Sequence, residues 1–146
     1  MLNRFASKFR ATHTKKINPR LGLLGLLGFM GFLGFLPMYL NVMDVFHVPT
    51  FFFFFAFFGF FGFHYEGKMS DTLIDERFIF NKNRASSIAS KIALWLVIIV
   101  TVLTMMAVNS LSVYAFSSII IATIGFALAL LAFLEPYLLY RFENGE

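Results

Sequence analysis

The 146-residue chain contains no cysteine. Disulfide frameworks, thiol nucleophiles, thiolate metal sites and lipidation through cysteine are therefore excluded together. Charge is also scarce: 14% of the residues are charged, against about 25% in an average soluble domain. That scarcity excludes a disordered chain and a nucleic-acid-wrapping protein. What is abundant is apolar surface, with 59% hydrophobic residues, 22 phenylalanines and a mean hydropathy of +0.78. The few charges are gathered into short blocks, which leaves a polytopic membrane protein as the class.

Uncharged apolar runs are measured against the roughly 20 residues that cross a hydrocarbon core of about 30 Å. Four emerge: Leu21 to Leu40, Val48 to Phe63, Ile92 to Val108 and Val113 to Leu134. The second is short, so it reads either as a brief span, lengthened by Phe46, or as a re-entrant or interfacial element. Each even crossing returns the chain to a side rich in Lys and Arg, which places both termini and the central segment in the cytoplasm. Tyr39 and Tyr114 then mark the outer boundary, and Tyr65, Trp95, Tyr137 and Tyr140 the inner one.

The expected fold is an all-α membrane protein, with four transmembrane helices as two antiparallel hairpins joined by a charged cytoplasmic segment. Its parts are a basic tail over 1–20, a first hairpin over 21–63, a partly helical cytoplasmic segment over 64–91, a second hairpin over 92–134 and a cytoplasmic tail over 135–146. In the first part, Leu2, Phe5, Ala6 and Phe9 share a helical face opposite Arg4, Lys8 and Arg10. With Lys15, Lys16 and Arg20 they read as a surface helix on an anionic inner leaflet, or as a solvated tail that sets topology. The long apolar run after Arg20 argues against a cleaved targeting peptide.

Glycine recurs every third residue at Gly22, Gly25, Gly28, Gly31 and Gly34. On an α-helix of about 3.6 residues per turn this ladder winds around the axis as a left-handed spiral. It offers close approach from several sides to the phenylalanines of the second run, which is interrupted by Gly59 and Gly62. The two readings are aromatic-on-glycine packing and low-complexity lipid filler. Ala85, Ala89 and Ala93, and then Gly125 and Ala129, form small-residue stripes of the usual helix-packing kind. A homo-oligomer is compatible with such stripes.

From His64 the composition turns polar. Thr72 followed by Asp75 resembles a capping box and predicts a helix from near Leu73 that continues into the third span. Glu66, Lys68, Asp71, Asp75, Glu76 and Arg77 are either a solvated face or a docking surface for a soluble partner. The ladder GLLGLLGFMGFLGF and the stretch FFGFFGFHYEGKMSDTLIDERF together resemble an uncharacterised bacterial family of small multi-pass membrane proteins, a domain of unknown function. EGKMSDTLIDERF, Glu66 to Phe78, is the specific part. The resemblance implies a regulatory role beside a helix-turn-helix DNA-binding protein and carries over no catalytic residues.

Ionisable groups inside spans mark proton relays and ion paths, and the interiors of these four runs contain none. Asp44 and His47 share a helical turn but make a poor metal site. His64 and Glu66 read as interfacial anchors rather than an acid–base pair. No hydrolase, zinc-protease or phosphate-loop motif occurs. The expectation is thus a non-enzymatic protein of the cell membrane, with no cofactor, metal or direct nucleic-acid contact, whose inner face binds or regulates a soluble partner. The alternative is a membrane immunity or transport-accessory protein acting within the bilayer.

Overall fold

The computed structural model describes residues 13–36 and 49–145. Among them every regular element is helical, and strand-like pairing is confined to one isolated antiparallel bridge between His13 and Leu73. Two elements are long 3₁₀ helices, here named the glycine helix (Pro19–Phe35) and the phenylalanine helix (Pro49–Phe61), and a third 3₁₀ element is the short turn Val108–Ser110. The second passes directly into α1 (Gly62–Lys68), and α2 (Glu76–Met106) and α3 (Val113–Asn144) follow. Both α2 and α3 are long and apolar enough to cross a membrane.

A 3₁₀ run longer than three or four residues is uncommon, because side chains three apart eclipse one another at about 3.0 residues per turn. Here the sequence has the same period as the helix, so each face carries one kind of side chain. In the glycine helix the rows are all glycine, then Leu23, Leu26, Phe29, Phe32 and Phe35, then leucines with Met30. The spiral expected of the glycines on an α-helix is therefore not what forms. A step of three returns to the same azimuth, and all five glycines lie in one buried row.

That row receives the phenylalanine helix, which runs antiparallel to it. A Cβ added at Gly25, Gly28, Gly31 or Gly34 would stand 2.7, 2.5, 2.5 or 2.8 Å from the ring of Phe61, Phe58, Phe55 or Phe52 respectively. At Gly22 the facing residue is His64. The rings of Phe52, Phe55, Phe58 and Phe61 follow one another at 6.1 to 6.3 Å, the spacing that three residues at about 2.0 Å rise dictate. Phe29, Phe32 and Phe35 of the glycine helix meet Phe58, Phe55 and Phe52 edge-on at 5.1, 5.2 and 4.8 Å. The edge-to-face arrangement places positive ring edges on negative faces.

A second row of the phenylalanine helix and α1, made of Ala56, Gly59 and Gly62, turns to α3. A Cβ at Gly59 would lie 2.7 Å from that of Ala132, and one at Gly62 would collide with the Ala132 carbonyl and with Pro136. Pro136 stands inside α3 and has no N–H to give the carbonyl four residues earlier, that of Ala132. Gly62 thus approaches α3 where its backbone ladder is interrupted. The third row, Phe51, Phe54, Phe57, Phe60 and Phe63, runs along the outside at 5.1 to 6.2 Å, stacked except for the edge-on pair Phe57 and Phe60.

Helices α2 and α3 are antiparallel neighbours. At their charged end Asn81 Nδ2 donates to Glu143 Oε1 at 2.7 Å, and the Arg84 guanidinium lies 4.5 Å over the Phe142 ring. Ala85, Ala89 and Ala93 are buried, as are Gly125 and Ala129 on α3. Helix α2 begins later than the sequence reading placed it. Its N-cap is Asp75, whose Oδ1 accepts the Phe78 N–H at 2.7 Å, rather than Thr72. Thr72 is held instead by Thr14, whose Oγ1 accepts the Thr72 N–H at 2.9 Å. Helix α3 continues past Leu134 to Asn144, so most of the segment read as a C-terminal tail is helical.

The glycine row gives a direct test. Gly31→Ala pushes a methyl into the Phe55 ring, which is 2% exposed, and is expected to destabilise the purified protein by about 1–3 kcal/mol. Adding Phe55→Leu should recover part of that loss. Leu26→Ala, on an exposed row, should leave the unfolding midpoint nearly unchanged.

Candidate functional site

The charged side chains collect at the end of the bundle where the glycine helix begins and α3 ends. Residues 14–18, part of the segment read as a surface helix or solvated tail, carry no helix. They are tied to the loop after α1: the Thr14 N–H donates to the Thr72 carbonyl at 2.8 Å, and the Thr14 hydroxyl donates to the Met69 carbonyl. The Ile17 N–H donates to Ser70 Oγ at 2.9 Å, and that hydroxyl donates back to the Ile17 carbonyl at 3.0 Å. Gly67 lets this strap pass, since a Cβ there would stand 2.6 Å from Pro19. Asp71 adopts a left-handed conformation at φ 63°, a region a short acidic side chain tolerates, and closes the loop.

Beneath the strap lies a cavity of about 280 Å³. Its polar lining comes from three places: His13, Thr14 and Lys15 on the strap, Glu66 on α1, and Lys82 and Glu135 on the long helices. Its apolar floor is Met69, Ile74, Phe78, Pro136 and Leu139, and of these Met69, Phe78 and Leu139 form a buried cluster with Ala85. Burial, then the charge of Glu135, push the Glu66 carboxyl above its ordinary value of 4.5, while Lys82 opposes them. Neither carboxylate has a hydrogen-bond or ion-pair partner among the described residues.

Two further cations at this end lie against aromatic faces. Lys68 Nζ lies 5.7 and 5.3 Å from the Tyr65 and Tyr140 ring centroids, and the Arg141 guanidinium lies 6.0 Å from that of Tyr137. Tyr65 also packs edge-on against Phe133 and Tyr137 at 5.9 and 5.1 Å. An aromatic collar thus surrounds the end of α1.

The six residues read as a docking face separate into three environments. Glu66 turns into the cavity, Lys68 covers the tyrosines, and Asp71, Asp75, Glu76 and Arg77 are exposed. Asp75 is engaged as a cap, and Arg77 Nη2 reaches the Glu143 carbonyl at 3.5 Å. Of the basic-tail residues, Lys15 lines the cavity and Lys16 and Arg20 are exposed; Arg4, Lys8 and Arg10 lie outside the described residues, as do Asp44 and His47. His64 packs against Gly22, and it does not line the cavity that Glu66 enters. Glu135 was missed by sequence reasoning because it follows the last apolar run directly. The available signal was a lone acid next to a proline in an otherwise apolar helix. No known protein family, curated protein or solved structure matches this chain.

The raised Glu66 carboxyl fixes the sign of a pH effect. Its protonated form is favoured in the fold, so its contribution to stability is full below the ordinary carboxylate range and is lost as pH rises through the raised value. The groups facing it are Glu135, Lys82, His13 and Lys15. Glu66→Gln removes this dependence. Its melting temperature relative to the unaltered protein should therefore climb from about pH 4 to about pH 7, and a constant difference would show that Glu66 does not titrate against the cavity.

Proposed function

We propose that this chain is a four-crossing protein of the cell membrane with both termini and the segment 64–91 in the cytoplasm, and that its inner face captures a soluble partner. Element lengths support the crossings. At about 2.0 Å rise the 17 residues of the glycine helix span about 34 Å, where an α-helix would give only about 26 Å. By the same arithmetic the 13 residues of the phenylalanine helix reach about 26 Å, and α1 continues them toward the headgroups. The short second run thereby gains the length it lacked as an α-helix. Exposed large apolar residues along the glycine helix, α2 and α3, with Phe53 on the phenylalanine helix, suit acyl chains rather than water.

The observation that carries the orientation is the one-sided distribution of charge. The pairing of Asn81 with Glu143 and of Arg84 with Phe142 sets a register that brings Lys91 level with the turn Phe133 to Glu135, so it too sits near the charged end. At the other end Tyr114 donates its hydroxyl to the Gly34 carbonyl at 3.0 Å. A basic end held in the cytoplasm follows the positive-inside rule.

Partner capture rests on the exposed charges Asp71, Glu76 and Arg77, a patch of both signs at the charged end. A soluble DNA-binding regulator, as the family resemblance implies, is the partner proposed. Reporter fusions at both ends should read cytoplasmic. The paired reversal Glu76→Lys with Arg77→Glu, which spares the Asp75 cap, should abolish co-purification of the regulator at unchanged membrane levels. Retention of the regulator by that variant would overturn the capture reading, and an external terminus would overturn the topology.

A further inference from the structure

We infer that the cavity beneath the strap is a receptor for a phosphoethanolamine headgroup, presented by a membrane aminophospholipid. The lining brings both signs of charge to one open-mouthed cavity: His13, Lys15 and Lys82 against Glu66 and Glu135. A ligand of one charge satisfies half of such a lining, whereas a zwitterion satisfies both. Neither carboxylate has a hydrogen bond or close ion pair among the described residues, and their charges oppose each other, with Lys82 offsetting part of the repulsion at Glu66. An ammonium between them supplies N–H donors to each and relieves the repulsion. The phosphate then falls to the imidazole and the two lysine ammoniums.

Lys68 and Arg84 are turned instead to aromatic rings and Arg77 to a carbonyl. The requirement for N–H donors selects a primary ammonium over a trimethylated one, which has none. A lipid is selected over a free headgroup by exposed apolar side chains at the same level of the bundle. Leu73, Ile79 and Phe80, next to the lining residues Ile74 and Phe78, are 49%, 50% and 67% exposed. Apolar side chains left outside at this level belong at a headgroup–acyl boundary. The inference rests on the membrane residence proposed above, but not on the orientation of the chain or on any partner.

The test uses the purified full-length chain in neutral detergent, read by native mass spectrometry as phosphatidylethanolamine, phosphatidylcholine and phosphatidylglycerol of identical acyl chains are titrated in. Phosphatidylethanolamine should be retained about tenfold more tightly than either of the others. Glu66→Gln with Glu135→Gln should reduce it to the phosphatidylcholine level, while Glu143→Gln, outside the cavity, should keep the preference. If the double variant does not purify folded, Glu135→Gln alone should give an intermediate preference. Equal retention of the three lipids, tighter phosphatidylglycerol, or a preference that survives loss of the carboxylates would overturn the site. Competition by soluble phosphoethanolamine at concentrations equal to the lipid would support the headgroup chemistry and overturn its lipid source. Because no step depends on sidedness or on a captured protein, failure here is distinguishable from failure of the functional reading.

Discussion

Contact between phenylalanine rings and bare glycine backbone is the constraint on which the rest of this structure depends. A 3₁₀ helix gains one hydrogen bond per residue at poorer geometry than an α-helix, so a long one needs an outside reason to persist. Here the reason is the neighbour. Only when every glycine shares an azimuth can Phe52, Phe55, Phe58 and Phe61 all reach backbone at once. Rewinding either helix to 3.6 residues per turn would carry successive glycines about 60° off the interface and put leucine or phenylalanine in their place. Where lipid replaces water, burial of apolar area does not discriminate between helix neighbours, and dense van der Waals contact of this kind decides which helices associate.

The phenylalanine helix serves two partners from two rows. Its aromatic row engages the glycine helix, and its small row, continued by Gly59 and Gly62, lets it lie close on α3. The approach of Gly62 to the Ala132 carbonyl joins two exceptions, a proline within a helix and a glycine at the change from 3₁₀ to α winding. From that junction α1 leads Glu66 to the cavity, while α3 brings Glu135 one residue before Pro136. The site is thus positioned by the same packing that fixes the helix pair.

Much of this was legible in the sequence. The apolar runs, the alanine stripe from Ala85 to Ala93 and the continuity of the central helix into the third run follow from composition and spacing. The geometry of the ladder was not, because a triplet repeat was projected on an α-helix. Its period coincides with 3₁₀ winding, but that coincidence has physical force only when a partner with the same period is at hand. The start of α2 was displaced because two oxygen-bearing residues, Thr72 and Asp75, compete for the capping role. A long-range bond from Thr14, invisible to local pattern, removes the first of them. Glu66 and Glu135 stand 69 positions apart and meet only through the fold, so no local motif announces the cavity.

The matched triplets also restrict how such a pair can change in size. One residue gained or lost in the glycine helix rotates everything beyond it by about 120° and shifts its glycines out of phase with the opposing rings. Only whole triplets, added to both helices together, preserve the seam. Its length is therefore quantised in increments of about 6 Å, a granularity that ordinary α-helical packing does not impose.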